Sequence, residues 1–290
     1  MNRTTMSYMV ATIVSFAALG ALTMQPTLAM AQTQFTNTAT DPTSSTGSRS
    51  STGLPSSTGL PSSTASTTTN PACGQVVSGT VVLTSNLHCN GDGLLVGGDH
   101  TVIYMNGQSI MGPGKTTSKV GIMIPAYNDV QVIGPGGISG FQAGVLMTGS
   151  HRVSVSTIIV QDNQIGMFVT GTRDTMLSEN ILKGNTIGIA AHSANSIDAE
   201  TNIITGNSLA GATLVNTAGS TLAMNTVAGS TNGFFLDPQS HDNTIDSNTA
   251  LKNVQDINNA NSLAPNINHN NYKNNLCSTS APGGLCKGGS

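Results

Sequence analysis

The sequence predicts an all-β fold, a parallel β-helix in which each coil of the chain stacks on the coil before it. Two observations predict this fold. Short aliphatic segments recur every 22 or 23 residues, each opened by a glycine, and asparagines recur at the same interval. The composition agrees, because only 8% of the 290 residues are charged and 3% are aromatic. Such a chain suits stacked small side chains better than a bulky core.

Six glycines mark the starts of successive coils, at intervals of 23, 22, 22, 23 and 22 residues: Gly121, Gly144, Gly166, Gly188, Gly211 and Gly233. The residues one and three positions after each glycine are mostly aliphatic. Because alternate residues of a strand point to opposite faces, we expect these positions to face the interior. A period of 22 is too short for helical repeats of about 34 to 45 residues. Since no coil can bury its face alone, the coils must stack.

The asparagines form two columns in this register. The first column is Asn180, Asn202, Asn225 and Asn248, continuing to Asn270. The second is Asn163, Asn185, Asn207, Ser230 and Asn253, continuing to Asn275. We interpret both as ladders in which side-chain amides hydrogen-bond from coil to coil. Sugar attachment explains them poorly, because the only Asn-x-Ser/Thr sequence begins at Asn2.

Three regions follow from composition. Residues 1–31 combine a basic start, an apolar run and a small-x-small site at 29–31, which is typical of an export signal. Its apolar run is short for a membrane span, so we expect no stable span after cleavage, with an uncleaved anchor as the alternative. Residues 32–72 are rich in Ser, Thr, Pro and Gly and are expected to form a disordered stalk. Residues 73–290 are expected to form the β-helix, in a secreted, periplasmic or cell-surface protein.

Four cysteines lie at the two ends of this third region: Cys73, Cys89, Cys277 and Cys286. An even number of cysteines in an exported chain predicts disulfide bonds. Three pairings are open, and the pairing between sequence neighbours would staple each end separately. The net charge of −3 is spread thinly, which argues against a nucleic-acid partner.

The segments "GLLVGGDHTVIYMNGQSIMGPG" and "GIMIPAYNDVQVIGPGGISGFQAGVLM", with the later asparagine units, resemble right-handed parallel β-helix repeat proteins. These proteins form the pectate-lyase-like superfold, which includes NosD-type copper-accessory proteins and alginate epimerases. The resemblance covers roughly residues 73–276. It implies a single-stranded right-handed β-helix of about nine coils. The resemblance says little about activity, because the repeated residues serve the fold and not a reaction.

Enzymes of this superfold imply one set of candidate residues. A Ca²⁺-dependent polyuronate lyase or epimerase needs carboxylates for the ion and a group that takes the proton. Glu179, Asp198 and Glu200 are the candidate Ca²⁺ ligands. The candidate catalytic residues are Arg173, Asp237 and His241, the last two within "FFLDPQSHD", which has the order but not the spacing of the epimerase Asp-Pro-His-Asp signature. The alternative is that these are solvated turn charges, in which Arg173–Asp174 on one coil pairs with His151–Arg152 on the neighbouring coil.

Copper is a second chemical alternative, implied by the NosD-type resemblance. Thioether and imidazole groups suit copper, and the chain has 12 methionines and six histidines. Five methionines lie in the predicted signal, however, and Met147 and Met167 fall at inward positions. The histidines show no clustering in sequence.

The position two residues after each coil-opening glycine is expected to face outward. It is apolar at Met123, Leu146, Phe168 and Phe235, and an exposed apolar stripe marks an interaction surface. We therefore predict an exported binding or structural module that contacts polysaccharide or a surface protein. The polyuronate enzyme and the copper-accessory protein are the alternatives.

Overall fold

The computed structural model describes residues 67–261, 263–264, 267 and 269–287. The predicted export signal and most of the predicted stalk lie outside these residues. In chain order the strands are β1 (Thr67–Thr69), β2 (Gln75–Val77), β3 (Thr80–Val82), β4 (Leu87–His88), β5 (Leu94–Val96), β6 (Val102–Tyr104), β7 (Ser109–Met111), β8 (Val120–Pro125), β9 (Gln131–Ser139), β10 (Ala143–Thr148), β11 (His151–Gln161), β12 (Ile165–Thr170), β13 (Arg173–Ser178), β14 (Ile181–Lys183), β15 (Ile187–His192), β16 (Asn195–Glu200), β17 (Ile203–Thr205), β18 (Ala210–Val215), β19 (Thr221–Ala223), β20 (Thr226–Ala228), β21 (Asn232–Leu236), β22 (Thr244–Asp246), β23 (Thr249–Ala250), β24 (Gln255–Asn259), β25 (Asn271–Lys273), β26 (Leu276–Cys277) and β27 (Ser280–Ala281).

These strands form two sheets of a parallel solenoid of about nine turns, as the sequence predicts. Sheet B has 10 strands, β2, β5, β8, β10, β12, β15, β18, β21, β24 and β27, and the other 17 form sheet A. Pairing is parallel and in register from coil to coil, so that Val145 lies beside Met167 and Met167 beside Ile189. No helix occurs among the described residues, so this part of the chain contains no helix long and apolar enough to cross a membrane.

The stalk boundary needs one correction. Residues 67–72 were expected to belong to the disordered stalk, but Thr67–Thr69 form β1 and pair with β3 at the edge of sheet A. The edge strand of a parallel sheet leaves backbone hydrogen-bonding groups free, and a threonine-rich segment with strong β preference can satisfy them.

The interior has the predicted periodicity. Ile122, Val145, Met147 and Met167 follow the coil-opening glycines at inward positions, and each is fully buried. The glycines themselves are required by close contact. A Cβ atom on Gly188 would lie 2.5 Å from the carbonyl oxygen of Gly211 on the next coil. Only glycine permits the coils to approach to this distance.

The first asparagine column forms a continuous hydrogen-bonded ladder. Nδ2 of Asn180 donates to Oδ1 of Asn202 at 3.0 Å, and the same bond links Asn202 to Asn225 and Asn225 to Asn248. Its last rung is Asn275, at 3.0 Å from Asn248, and not Asn270 as expected. The step from 248 to 275 is 27 residues because the last coil contains four extra residues.

The second column is interrupted. Asn163, Asn185 and Asn207 bond in sequence, but Ser230 carries no amide and its buried hydroxyl has no partner. The ladder resumes at Asn253, whose Oδ1 accepts the backbone N–H of Ser230 at 3.0 Å.

Asn243 and Asn270 form a third, unpredicted ladder, in which Nδ2 of Asn243 donates to Oδ1 of Asn270 at 3.0 Å.

Disulfides close both ends of the solenoid. Cys73 pairs with Cys89 and Cys277 with Cys286, the pairing between sequence neighbours. Leu285, inside the second loop, is buried and joins the core. The two bridges therefore fasten the terminal coils, which lack a neighbour on one side.

Candidate functional site

The three predicted catalytic residues do not converge. Arg173 and His241 share one column of register partners, but three coils separate them, which is about 14 Å at the strand spacing. Asp237 is 7% exposed, and its Oδ1 accepts the Ser240 hydroxyl at 2.6 Å and the Asn216 backbone N–H at 3.0 Å. These bonds make Asp237 a cap of the turn between coils and leave it unsuited to proton transfer.

The predicted Ca²⁺ ligands are brought only partly together. Asp198 and Glu200 lie two residues apart on β16 and face the same side of sheet A. Repulsion from Asp198 raises the pKa of Glu200 above its ordinary value. Glu179 lies in a turn on the preceding coil and donates its backbone N–H to the Glu200 carbonyl. Among the described residues, no three His, Cys, Asp or Glu side chains are placed to hold a metal ion.

The predicted apolar stripe is not exposed over most of its length. Leu146, Phe168 and Phe235 are 5%, 4% and 7% exposed, and Met123 is half-buried. Stacking between like coils accounts for part of this burial, since each side chain is flanked by its register partners. Stacking is not the whole cause, because Met176, stacked outward on sheet A, is 49% exposed. The predicted exposure of the stripe is therefore wrong for Leu146, Phe168 and Phe235.

Polar and charged side chains gather instead at one corner of the coils, where each sheet-B strand ends and the next sheet-A strand begins. We call this surface the corner ridge and define it by two adjacent columns. The first column is Asn128, His151, Arg173, Asn195, Ala218 and His241. The second is Asp129, Arg152, Asp174, Ser196, Gly219 and Asp242. Five coil steps make the ridge about 24 Å long.

Backbone geometry projects the ridge into solvent. Residues of its second column have positive φ, from 52° at Arg152 to 62° at Gly219. This left-handed conformation turns the chain sharply and is tolerated best by Gly, Asn and Asp. It also occurs at other corners, as at Glu179 and Thr201. The conformation is thus a property of coil corners, and the ridge is distinguished by its side chains.

One ion pair crosses the ridge. The Arg152 guanidinium binds the Asp129 carboxylate through two hydrogen bonds of 2.6 and 2.8 Å, and His100 lies 3.6 Å from the same carboxylate. Hydrogen bonding from Arg152 holds the pKa of Asp129 below its ordinary value. The alternative interpretation paired His151–Arg152 with Arg173–Asp174 across coils. Arg152 does pair across coils, but its partner is Asp129 and not Asp174.

The far end of the ridge contains a cavity of about 300 Å³. Its lining residues are Pro238, Gln239, Ser240, His241, Asp242, Asn261, Leu263 and His269. Nδ1 of His241 lies 2.8 Å from Oδ2 of Asp242, and the Asp242 backbone N–H donates to the His269 carbonyl. The cavity forms where the four-residue insertion breaks the repeat.

The structure places four histidines on or beside the ridge, spread along its length, a shared corner that sequence reasoning did not predict. His151 and His241 belong to the ridge, while His100 and His269 adjoin its two ends. Consecutive members of this set are separated by 28 to 90 residues in the sequence. Aligning the coils seven positions before the first asparagine column would have shown the shared corner, because these positions depart most from the apolar repeat.

Comparisons with known proteins agree with the fold. A model of the family described as periplasmic copper-binding protein (NosD) matches residues 78–284. None of the curated proteins compared with this chain matches it in sequence. The periplasmic alginate epimerase AlgG is similar in structure, with a TM-score of 0.56 and 14% identity over 69% of this chain and 54% of that chain.

A second solved structure, the enzymatically active domain of bacteriophage CBA120 tailspike protein 2, gives a TM-score of 0.50 at 13% identity. The match covers 74% of this chain and 38% of that chain. The chain therefore matches about half of the length of the epimerase and less of the tailspike. At these identities the likeness shows the fold alone.

Proposed function

The chain belongs to the family of NosD, described as periplasmic copper-binding proteins, and on that premise we propose that it is an exported β-helix binding module. Its place is the periplasm or the cell surface, and its ligand is a linear acidic polysaccharide that lies along the corner ridge. The family description and the periplasmic alginate epimerase of similar fold support export and carbohydrate as the partner class.

The observation that carries this proposal is the repeated polar surface of the ridge. The parallel register offers hydrogen-bonding side chains on five of the six coils of the ridge, about 4.8 Å apart, and only the coil of Ala218 and Gly219 has none. Amide, imidazole, guanidinium and hydroxyl groups of Asn128, His151, Arg173 and Ser196 alternate along this line. A polymer of similar units can meet such a surface repeatedly, so that weak contacts add up along the chain.

Arg173 is the expected anchor for the acidic groups. Its side chain is exposed, and within the described part of the chain it takes part in none of the ion pairs. Arg152, by contrast, is already held by Asp129. An unpaired guanidinium binds a carboxylate through two parallel hydrogen bonds, which gives both energy and orientation.

The proposal is tested by titrating the full chain with oligomers of alginate and polygalacturonate in a calorimeter, with neutral dextran as the comparison. We expect binding to the acidic oligomers only, weakened as salt rises. Arg173→Ala should reduce the affinity about tenfold, the value of one charge-assisted contact. Lys183→Ala, which removes an exposed cation from β14 away from the ridge, is the matched control and should leave the affinity unchanged.

Two results would contradict the proposal. Equal affinity for dextran and for alginate would show that the ligand need not be acidic. Equal losses in Arg173→Ala and Lys183→Ala would show that general charge, and not the ridge, attracts the polymer. The same samples are monitored for unsaturated or epimerised products, whose appearance would identify a polyuronate enzyme in place of a binding module.

A further inference from the structure

We propose that two copies of the chain associate through the outer surface of β11, β14 and β17, around a twofold axis parallel to the solenoid axis. This surface is centred on a column of three register partners, Ile159, Ile181 and Ile203, which we call the isoleucine face. Strand β13 separates the face from the corner ridge along the chain. The association therefore goes beyond the polysaccharide proposal and uses a different part of each coil.

The isoleucine face is exposed, and the repeat does not require it to be apolar. Ile159 and Ile203 are 37% and 46% exposed, and Ile181 between them is half-buried. In the same register column Gly137 precedes Ile159 and Thr226 follows Ile203. Large apolar side chains scattered singly over a surface are common. Three of them stacked at the strand spacing of about 4.8 Å form a contiguous patch, which marks an interaction surface.

Opposite charges lie on the two sides of Ile181. Glu179 occupies the corner before β14, and Lys183 is the last residue of β14, so each is two residues from Ile181. Both side chains are exposed, and within the described part of the chain neither takes part in an ion pair. A second copy that presents the same strand in the opposite direction would supply the missing partner of each charge.

A twofold axis parallel to the solenoid axis gives this orientation. It brings the two isoleucine columns together at equal heights and reverses the strand direction. Glu179 of each copy then meets Lys183 of the other, as a self-complementary twofold interface requires. An axis along the strands would instead set Glu179 against Glu179 and Lys183 against Lys183, and such repulsion disfavours binding. The two charges therefore select the first orientation.

The coils that follow match in the same orientation. On the next coil Thr201 meets Thr205 of the second copy, and one coil further Met224 meets Ala228. Each row thus pairs polar groups with polar groups or apolar groups with apolar groups. Met224 is 53% exposed in the single chain, and this contact removes part of its surface from water.

The test is sedimentation equilibrium of the full chain over a wide range of concentration. Because the face is only a few coils tall, we expect a weak dimer whose population rises with concentration. Ile181→Asp places a charge at the centre of the face in both copies and should raise the dissociation constant at least about 100-fold. Met176→Asp is the matched control, since Met176 is 49% exposed on β13 outside the face, and it should leave the dissociation constant unchanged.

Charge reversal tests the orientation without changing the core, because both charged side chains are exposed. Glu179→Lys or Lys183→Glu alone sets like charges opposite each other and should weaken the dimer about tenfold. The double variant restores opposite charges and should recover the dissociation constant of the unmodified chain. Circular dichroism of each variant establishes that a loss does not come from unfolding.

Three results would overturn the proposal. These are an unmodified chain that stays monomeric at every concentration, association that Ile181→Asp leaves unchanged, and a double charge variant as weak as the single ones. The alginate titration keeps this test separate from the polysaccharide proposal. Ile181→Asp should bind the acidic oligomers as the unmodified chain does, because the ridge lies outside the face.

Discussion

Asp256 closes the second asparagine ladder at Asn253. Oδ1 of Asp256 accepts the backbone N–H of Asn253 at 3.2 Å and its side-chain amide at 3.0 Å. Oδ2 accepts the backbone N–H groups of Ser278 and Thr279 at 2.8 and 3.1 Å. Each rung of a ladder donates toward the next coil, so the last rung needs an acceptor that offers no donor of its own. An ionised carboxylate is that group.

Replacing Asp256 by alanine should therefore destabilise the last coils strongly. Asp256 is 1% exposed, and the change leaves four N–H groups without their acceptor. An unsatisfied buried donor costs about 1 to 3 kcal/mol, so we expect a loss of at least about 3 kcal/mol in urea unfolding. Asp246→Ala is the control, since its contacts are at the surface. A similar loss in both variants would contradict the capping role.

Within the first ladder, replacing Asn202 by aspartate should destabilise the fold more than replacing it by alanine. Its Nδ2 donates to Asn225 Oδ1 at 3.0 Å and to the Leu177 carbonyl at 2.8 Å. Asn202→Asp would place an acceptor against these two acceptors, whereas Asn202→Ala only removes the bonds. We expect thermal midpoints in the order wild type, alanine, aspartate. At about 2 to 4 °C per kcal/mol the steps are measurable. If the aspartate variant were as stable as the alanine variant at neutral pH, the assignment of Asn202 Nδ2 as the donor to these two oxygens would be refuted.

The ladders show what periodicity can and cannot predict. A 22-residue interval is sufficient to place Asn180 and Asn202 in one column, because the register repeats without change between them. It fails beyond Asn253, because the four-residue insertion shifts the later positions, so that Asn275 continues the first column and Asn270 pairs with Asn243 in a third ladder. The direction in which the amides donate, and the carboxylate that ends the ladder, depend on which coil is last. The repeat does not show which coil is last.

The glycine column provides a test of close coil packing. In Gly188→Ala the new Cβ would lie 2.5 Å from the Gly211 carbonyl oxygen and 2.7 Å from Ile204 Cγ2. Because backbone atoms cannot move aside, we expect a loss of at least about 2 kcal/mol, the range found for overpacking. Gly91→Ala is the control, since nothing lies within 4 Å of its Cβ position. There alanine should be neutral or stabilising by up to about 1 kcal/mol. Equal stability of the two variants would disprove the packing argument.

The candidate site was less predictable than the fold for a physical reason. Core positions repeat because each coil contacts the same neighbours, so Val145 and Met167 can be identified as core residues from the periodicity of the sequence. Ridge positions are exposed, and packing does not restrict them, so His151, Arg173 and His241 vary from coil to coil. Chemistry on a solenoid therefore lies in the column with the least regular sequence. It becomes visible only when the register aligns distant residues.

The carboxyl pair on β16 gives a prediction of pH dependence. Repulsion from Asp198 raises the pKa of Glu200 above its ordinary value of 4.5, so the folded chain holds this proton more tightly than the unfolded chain. The contribution of Glu200 to stability is then complete below pH 4.5 and is lost as the pH rises through the raised pKa. Asp198→Asn removes the repelling charge. It should lower the Glu200 pKa toward its ordinary value and flatten the decline in stability.

Titration of the Glu200 side-chain carboxyl by nuclear magnetic resonance measures this directly, alongside urea unfolding at several pH values. Asp246→Asn is the matched control, because Asp246 lies in the same register column as Glu200 but two coils away, about 10 Å at the strand spacing. At that distance across solvent, salt screens most of the interaction. We expect the Glu200 pKa to move in Asp198→Asn and to stay in Asp246→Asn. A Glu200 pKa that is ordinary in the unmodified chain, or that moves equally in both variants, would show that the two carboxylates of β16 do not interact.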